Sequence, residues 1–297
     1  MFLKKIICCF LPLMSLCAYI RQPGPIIMSY GFEKSEFKSG KDTTFRSDLW
    51  KPYLHTGEVN TNKCALGNYI PGFVSSTLSR LQARSGSQSG QCIMDVSNGG
   101  ICHKAMFRND FLPKGADISA ANNERWISFS LFLPDRGQDA WVNDQVDELV
   151  FQLHNDTIAS PQLALYSDKG IFSVRYRYAD KDPHQDAHTR QVVMKPWEGS
   201  VKTGRWIDWI WHVKFSPLAA KGILQVWANQ GDGLKQIVDE QHIRMGYPCD
   251  QITTFDIGLY KWQWKCPSTS PVKRRVIYVD DIKVGNALAG LNDMINH

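Results

Sequence analysis

The stretch ELVFQLHND, residues 148–156, has two unlike faces. Strand alternation sends Leu149, Phe151 and Leu153 to one side and Gln152 and His154 to the other. One side belongs against a core, while the other sets an amide beside an imidazole. The same shape recurs along the chain. RWISFSLFLP (125–134), GIFSVRYRYA (170–179), RWIDWIWHVKFS (205–216), GILQVWAN (222–229), FDIGLYKWQW (255–264) and RVIYVDDIKVG (275–285) are short, rich in β-branched and aromatic residues, and separated by turn formers. No segment after the N-terminal stretch holds a long, clean period of 3.6. Many regularly spaced strands predict an all-β protein, a concanavalin-like antiparallel sandwich or β-jelly roll. Internal repeats and low-complexity segments are absent, which disfavours a propeller or solenoid.

In such a sandwich one face of each strand enters the core and the other meets solvent or, on a curved sheet, a groove. In FDIGLYKWQW the core set is Phe255, Ile257 and Leu259. Asp256, Gly258, Tyr260, Trp262 and Trp264 take the other face. Flat rings stack on the apolar faces of sugar rings, so this aromatic set fits a carbohydrate groove; the alternative is that the rings pack beneath a loop. Arg175 and Arg177 share one face of GIFSVRYRYA, where they either hold carboxylates or stand as a solvated row.

The N-terminus, MFLKKIICCFLPLMSLCAYI, has Lys4 and Lys5, an apolar centre and Ala18 at a cleavage point. It reads as a signal peptide over residues 1–18, leaving one domain over 19–297 in a secreted or periplasmic protein. No later segment has the apolar length of a membrane span, so no membrane contact is expected after cleavage. Formal net charge is +5, and removal of Lys4 and Lys5 leaves 32 basic against 29 acidic residues. That surplus is too mild to argue nucleic acid and fits an acidic small or polymeric substrate. Five cysteines remain after cleavage, and the close pairs Cys92–Cys102 and Cys249–Cys266 are the expected disulfides, with Cys64 odd. Zinc is disfavoured, since no CxxC occurs and the histidines are not at ligand spacing.

Taken in order, the segments resemble the polysaccharide lyases of the heparin lyase I and glucuronan lyase type, which are β-jelly rolls. The matching residues are GFE (31–33), ERWISFSLFLPD (124–135), ELVFQLH (148–154) with SPQLALY (160–166), WIDWIWHVKFS (206–216) with GILQVWAN (222–229), FDIGLYKW (255–262) and YVDDIKVG (278–285). The resemblance implies β-elimination on a uronate-containing polysaccharide by a monomer. The proton at C5, beside the C6 carboxylate, is hardly acidic. The enzyme must therefore neutralise that carboxylate, remove the proton and protonate the departing O4. By position His154 corresponds to the base and Tyr260 to the acid. Gln152, Arg108, Arg175, Arg177, Lys261, Trp262 and Trp264 are the expected substrate-binding residues. No cofactor is required for the chemistry. The resemblance also implies a structural calcium at Glu33 and Asp281, beside Asp280, where the terminal strands meet.

Two departures stand out. The family's Arg-x-Glu pattern is here Arg108-Asn109-Asp110, with Asp110 as the expected buttress of Arg108. A lysine common four residues before the tyrosine is here Asp256. A carboxylate in the groove would repel an anionic sugar and raise the tyrosine pKa. It also supports the alternative reading, a non-catalytic carbohydrate-binding jelly roll. A glycoside hydrolase ranks third, because no strand offers two carboxylates on one face. The sequon at 155–157 matters only in a glycosylating host.

Overall fold

The computed structural model describes residues 24–33, 51–55, 70–109, 118–119, 122–154, 159–183, 186, 188–248, 252, 254–266 and 270–295. Residues 1–18, Cys64, Asp110, the sequon and Cys249 lie outside them. In chain order the strands are β1 (Ile26–Tyr30), β2 (Lys51–His55), β3 (Phe73–Ser79), β4 (Ser89–Asp95), β5 (Lys104–Asn109), β6 (Glu124–Phe132), β7 (Glu148–His154), β8 (Leu163–Asp168), β9 (Ile171–Tyr178), β10 (Val192–Gly199), β11 (Trp206–Lys214), β12 (Gly222–Asn229), β13 (Leu234–Ile243), β14 (Thr254–Tyr260) and β15 (Arg274–Gly285). A single helical turn, α1 (Leu291–Met294), follows.

The strands form two antiparallel sheets. One runs β13, β12, β11, β6, β15, β4, β3, with β1 also on β15; the other runs β10, β9, β8, β7, β14, β5, β2. Their inner faces meet in the core that alternation predicts. Phe151 of β7 is at its centre, with ring centroids 4.8 Å from Phe129, 5.0 Å from Trp211 and 5.2 Å from Phe255. Burying such a ring is worth about 1.5–3 kcal/mol. These contacts fix which face of the seven-stranded sheet points outward, and that face carries Gln152 and Asp256.

β14 is not regular. Its register against β7 shifts between Ile257 and Tyr260. Gly258, in between, has φ 138°, and a Cβ there would lie 2.6 Å from the Ala105 carbonyl oxygen and 2.8 Å from Cys92 Sγ. Only glycine takes that conformation at so close an approach. The irregularity re-aims the end of β14, the strand end that carries Tyr260.

The expected Cys92–Cys102 disulfide does not form; both thiols are free and buried. The reason is topological. Cys92 belongs to β4 and Cys102 precedes β5, and these strands lie in opposite sheets, so the intervening chain crosses the sandwich instead of closing a hairpin. Burial pushes both thiols up to about 12, which leaves them inert near neutral pH.

Candidate active site

The outer face of the seven-stranded sheet holds a groove of about 540 Å³. Across its middle the strand register aligns Arg108 on β5, Asp256 on β14, Gln152 on β7, Ala164 on β8 and Arg175 on β9. Arg108 grips Asp256 with two parallel bonds, Nε to Oδ1 at 2.7 Å and Nη2 to Oδ2 at 2.8 Å. Gln152 Nε2 donates to Oδ2 at 2.6 Å. Asp256 is fully buried. It is therefore not a repelling charge facing the substrate, as its replacement of a lysine suggested. It buttresses Arg108, the part expected of Asp110, and the pair is electrically closed.

Towards one end, Tyr260 lies opposite Lys104 of β5 and Leu149 of β7, with Tyr166 of β8 alongside. The floor here is a small apolar cluster of Met106, Leu149, Ala164 and Tyr166 on which Tyr53, Tyr260 and Trp262 pack. Trp262 meets Tyr260 and Tyr166 edge-on, at 5.6 and 6.1 Å between centroids. The Lys104 ammonium rests on two rings, 4.0 Å from the centre of Tyr53 and 4.4 Å from that of Tyr260. Burial, with smaller contributions from Tyr53 and Tyr166, raises the Tyr260 pKa, so the phenol keeps its proton at neutral pH.

His154 closes the other end. It ends β7 opposite Thr254, six residues along β14 from Tyr260. At about 3.3 Å per residue the two α-carbons are roughly 20 Å apart along the ladder, so the two side chains stand at separate points of the sheet face. His154 Nε2 is 2.8 Å from the Ala159 carbonyl, which can only accept, so Nε2 carries the proton and Nδ1 is the basic nitrogen.

Between these ends Tyr166 is framed by two arginines. Arg177 donates to its hydroxyl at 3.1 Å and to the Pro161 carbonyl at 2.9 Å. Arg175 stacks over its ring at 4.4 Å and lies 3.7 Å from both Asp147 and Asp168. Burial and the neighbouring Asp168 raise the Asp147 pKa.

Arg108, Gln152, His154, Arg175, Arg177, Tyr260 and Trp262 thus line one groove. Lys261 and Trp264 do not. β14 ends at Tyr260, and the chain turns into a 3-10 segment, Trp262–Lys265, where alternation no longer sorts the residues. Trp264 swings into the core at 1% exposure. Lys261, equally buried, binds Asp144 at 2.8 Å and Glu148 at 3.4 Å, and Arg275 clamps Glu148 from its other side. Sequence reasoning missed Lys104 and Tyr53. Lys104 was legible, since Lys104, Met106 and Arg108 share a face of β5 by alternation.

The expected calcium residues tie the chain directly. Glu33 accepts from Ser87 N and Oγ and from Gln88 N, and Asp281 accepts from Ser85 Oγ. Among the described residues no group of three His, Cys, Asp or Glu side chains is placed to hold a metal.

Residues 82–283 match the family model for polysaccharide lyases. The chain belongs to that family. Endo-β-1,4-glucuronan lyase from the fungus Trichoderma reesei superimposes with TM-score 0.57 at 14% identity, covering 80% of this chain and 96% of that one. A marine alginate lyase from Aplysia kurodai superimposes with TM-score 0.47 at 13% identity, covering 71% and 87%. No curated protein matches in sequence.

Proposed function

We propose that this polysaccharide lyase is secreted and cleaves a uronate-containing polysaccharide by β-elimination, with Tyr260 as acid and His154 as base. The observation that carries the reading is the protonated Tyr260 phenol set under the Lys104 ammonium in a groove that also holds Arg175 and Arg177. The base takes the C5 proton, the electron pair of that bond becomes the C4–C5 double bond, the C4–O4 bond breaks, and the phenol protonates O4. The cations offset the charge that builds on the C6 carboxylate. A phenol, an imidazole and cationic side chains on one sheet face support this reading. The test is ultraviolet absorbance of unsaturated ends on a panel of glucuronan, alginate, hyaluronan and heparin. Product from at least one, absent with neutral glucans, supports the reading. Binding without unsaturated ends on every polymer leaves a carbohydrate-binding protein in its place.

A further inference from the structure

Resting on that reading, we propose that Lys104 is the positioning residue of Tyr260, holding its ring and charging the spot where the departing oxygen is protonated. The two side chains lie opposite each other across the β5–β14 ladder, and the ammonium is 4.4 Å from the centre of the Tyr260 ring. Lys104 is 8% exposed, so the charge acts in a poorly screened site where it is worth far more than in water. Tyr53 of β2 completes the seat at 4.0 Å on the other ring. Each other groove cation is directed away from the Tyr260 ring. Arg108 is closed on Asp256, Arg175 lies between Asp147 and Asp168, and Arg177 is turned to Pro161 and Tyr166.

The role follows from the charge balance of the elimination. When Tyr260 gives its proton to O4 it becomes a phenolate, and a neighbouring ammonium lowers the cost of that charge. Without it the phenol is a weaker acid in a buried site. Asp256, which stands where a cation would otherwise share the tyrosine's strand, is spent on Arg108. The positive charge therefore reaches Tyr260 from the next strand. The titratable groups around the phenol are Tyr53, His103, Lys104 and Tyr166; the His103 ring centroid is 6.0 Å away.

The experiment reads Tyr260 ionisation directly, as the tyrosinate absorbance of the chain minus that of its Tyr260→Phe variant across alkaline pH. In Lys104→Met that ionisation moves to higher pH. On the cleaved polymer kcat falls roughly 10²-fold while KM changes much less. Lys104→Arg, keeping the charge, restores most of both. If Lys104→Met fails to fold by thermal melting, Lys104→Gln carries the same comparison. Unchanged Tyr260 ionisation in a folded Met or Gln variant overturns the proposal, as does an Arg variant no better than Met. If the unmodified chain cleaves none of the uronate polymers, the lyase reading falls, and the titration still decides whether Lys104 governs Tyr260.

Discussion

The two ends of the β7–β14 ladder are built from the same alternation and furnished differently. At the Tyr260 end the proton donor is enclosed by aromatic rings, a satellite apolar cluster and a lysine. At the His154 end the imidazole meets the Ala159 carbonyl at 2.8 Å and stands at the strand terminus. The donor end is thus aromatic and carries an ammonium, while the acceptor end sets the buried imidazole against main chain. A poorly screened setting strengthens each electrostatic contact around the phenol, and the imidazole is oriented by the Ala159 carbonyl. The contrast is between a phenol under an ammonium and an imidazole on a carbonyl.

It can be broken most directly by removing the phenol. Tyr260→Phe keeps the ring and its packing and should lower turnover by roughly 10²–10⁴-fold, with polymer affinity nearly unchanged. Steady-state kinetics beside a binding isotherm checks both halves. Turnover within threefold of the unmodified chain would shift the acid away from this end.

Asp256→Lys tests the row between the ends. Judged from the motif alone, this change restores a family cation and raises activity. The structure reverses that expectation, because the new ammonium would sit fully buried against Arg108. Breaking a buried pair costs about 3–5 kcal/mol, before the repulsion of two like charges. Denaturant melts should show a loss of that order and no gain in rate; a stable and faster variant would show that the row can reorganise.

Asp280, on the opposite sheet, is a control remote from the groove. It is fully buried, and desolvation raises its pKa to about 7 despite backbone donors from Arg84, Ser85 and Asp281. The folded chain keeps a proton there that the unfolded chain releases near its ordinary value of about 3.9. Its stabilisation is therefore full below that pH and is lost as pH rises through about 7, amounting to at most about 4 kcal/mol. Melting temperature should fall across that window, and Asp280→Asn should flatten the fall while leaving the groove's activity in place. The same slope in both proteins would assign it to another group.

How far these features were legible depends on the distance over which each is decided. The two faces of β7, β9 and β14 follow from alternation within a strand, so the core residues Leu153, Phe151 and Ile257 and the groove residues Gln152, His154 and Arg175 could be sorted locally. Trp264 could not, because a 3-10 turn replaces the strand four residues earlier than the aromatic pattern suggests. Asp256 carries its partner 148 residues away on β5, and no local pattern says that its charge is already answered. The Cys92–Cys102 pairing failed for a related reason: closeness in sequence said nothing about the sandwich edge between β4 and β5. Lys104 obeyed the local rule and was passed over, since the motif near it drew attention to Arg108.

The smallest of these effects tests the far end of the ladder. His154→Ala should lower turnover by roughly 10²-fold if Nδ1 takes the C5 proton, the low end of the range for Tyr260→Phe. Its loss should also remove the acid limb of the rate profile, since a protonated imidazole cannot act as the base. Binding of the polymer should persist, carried by Trp262, Arg175 and Arg177. A variant with unchanged rate and an intact acid limb would move both proton transfers to Tyr260. The roughly 20 Å between the two α-carbons would then be the width of the binding groove and not the span of an acid–base pair.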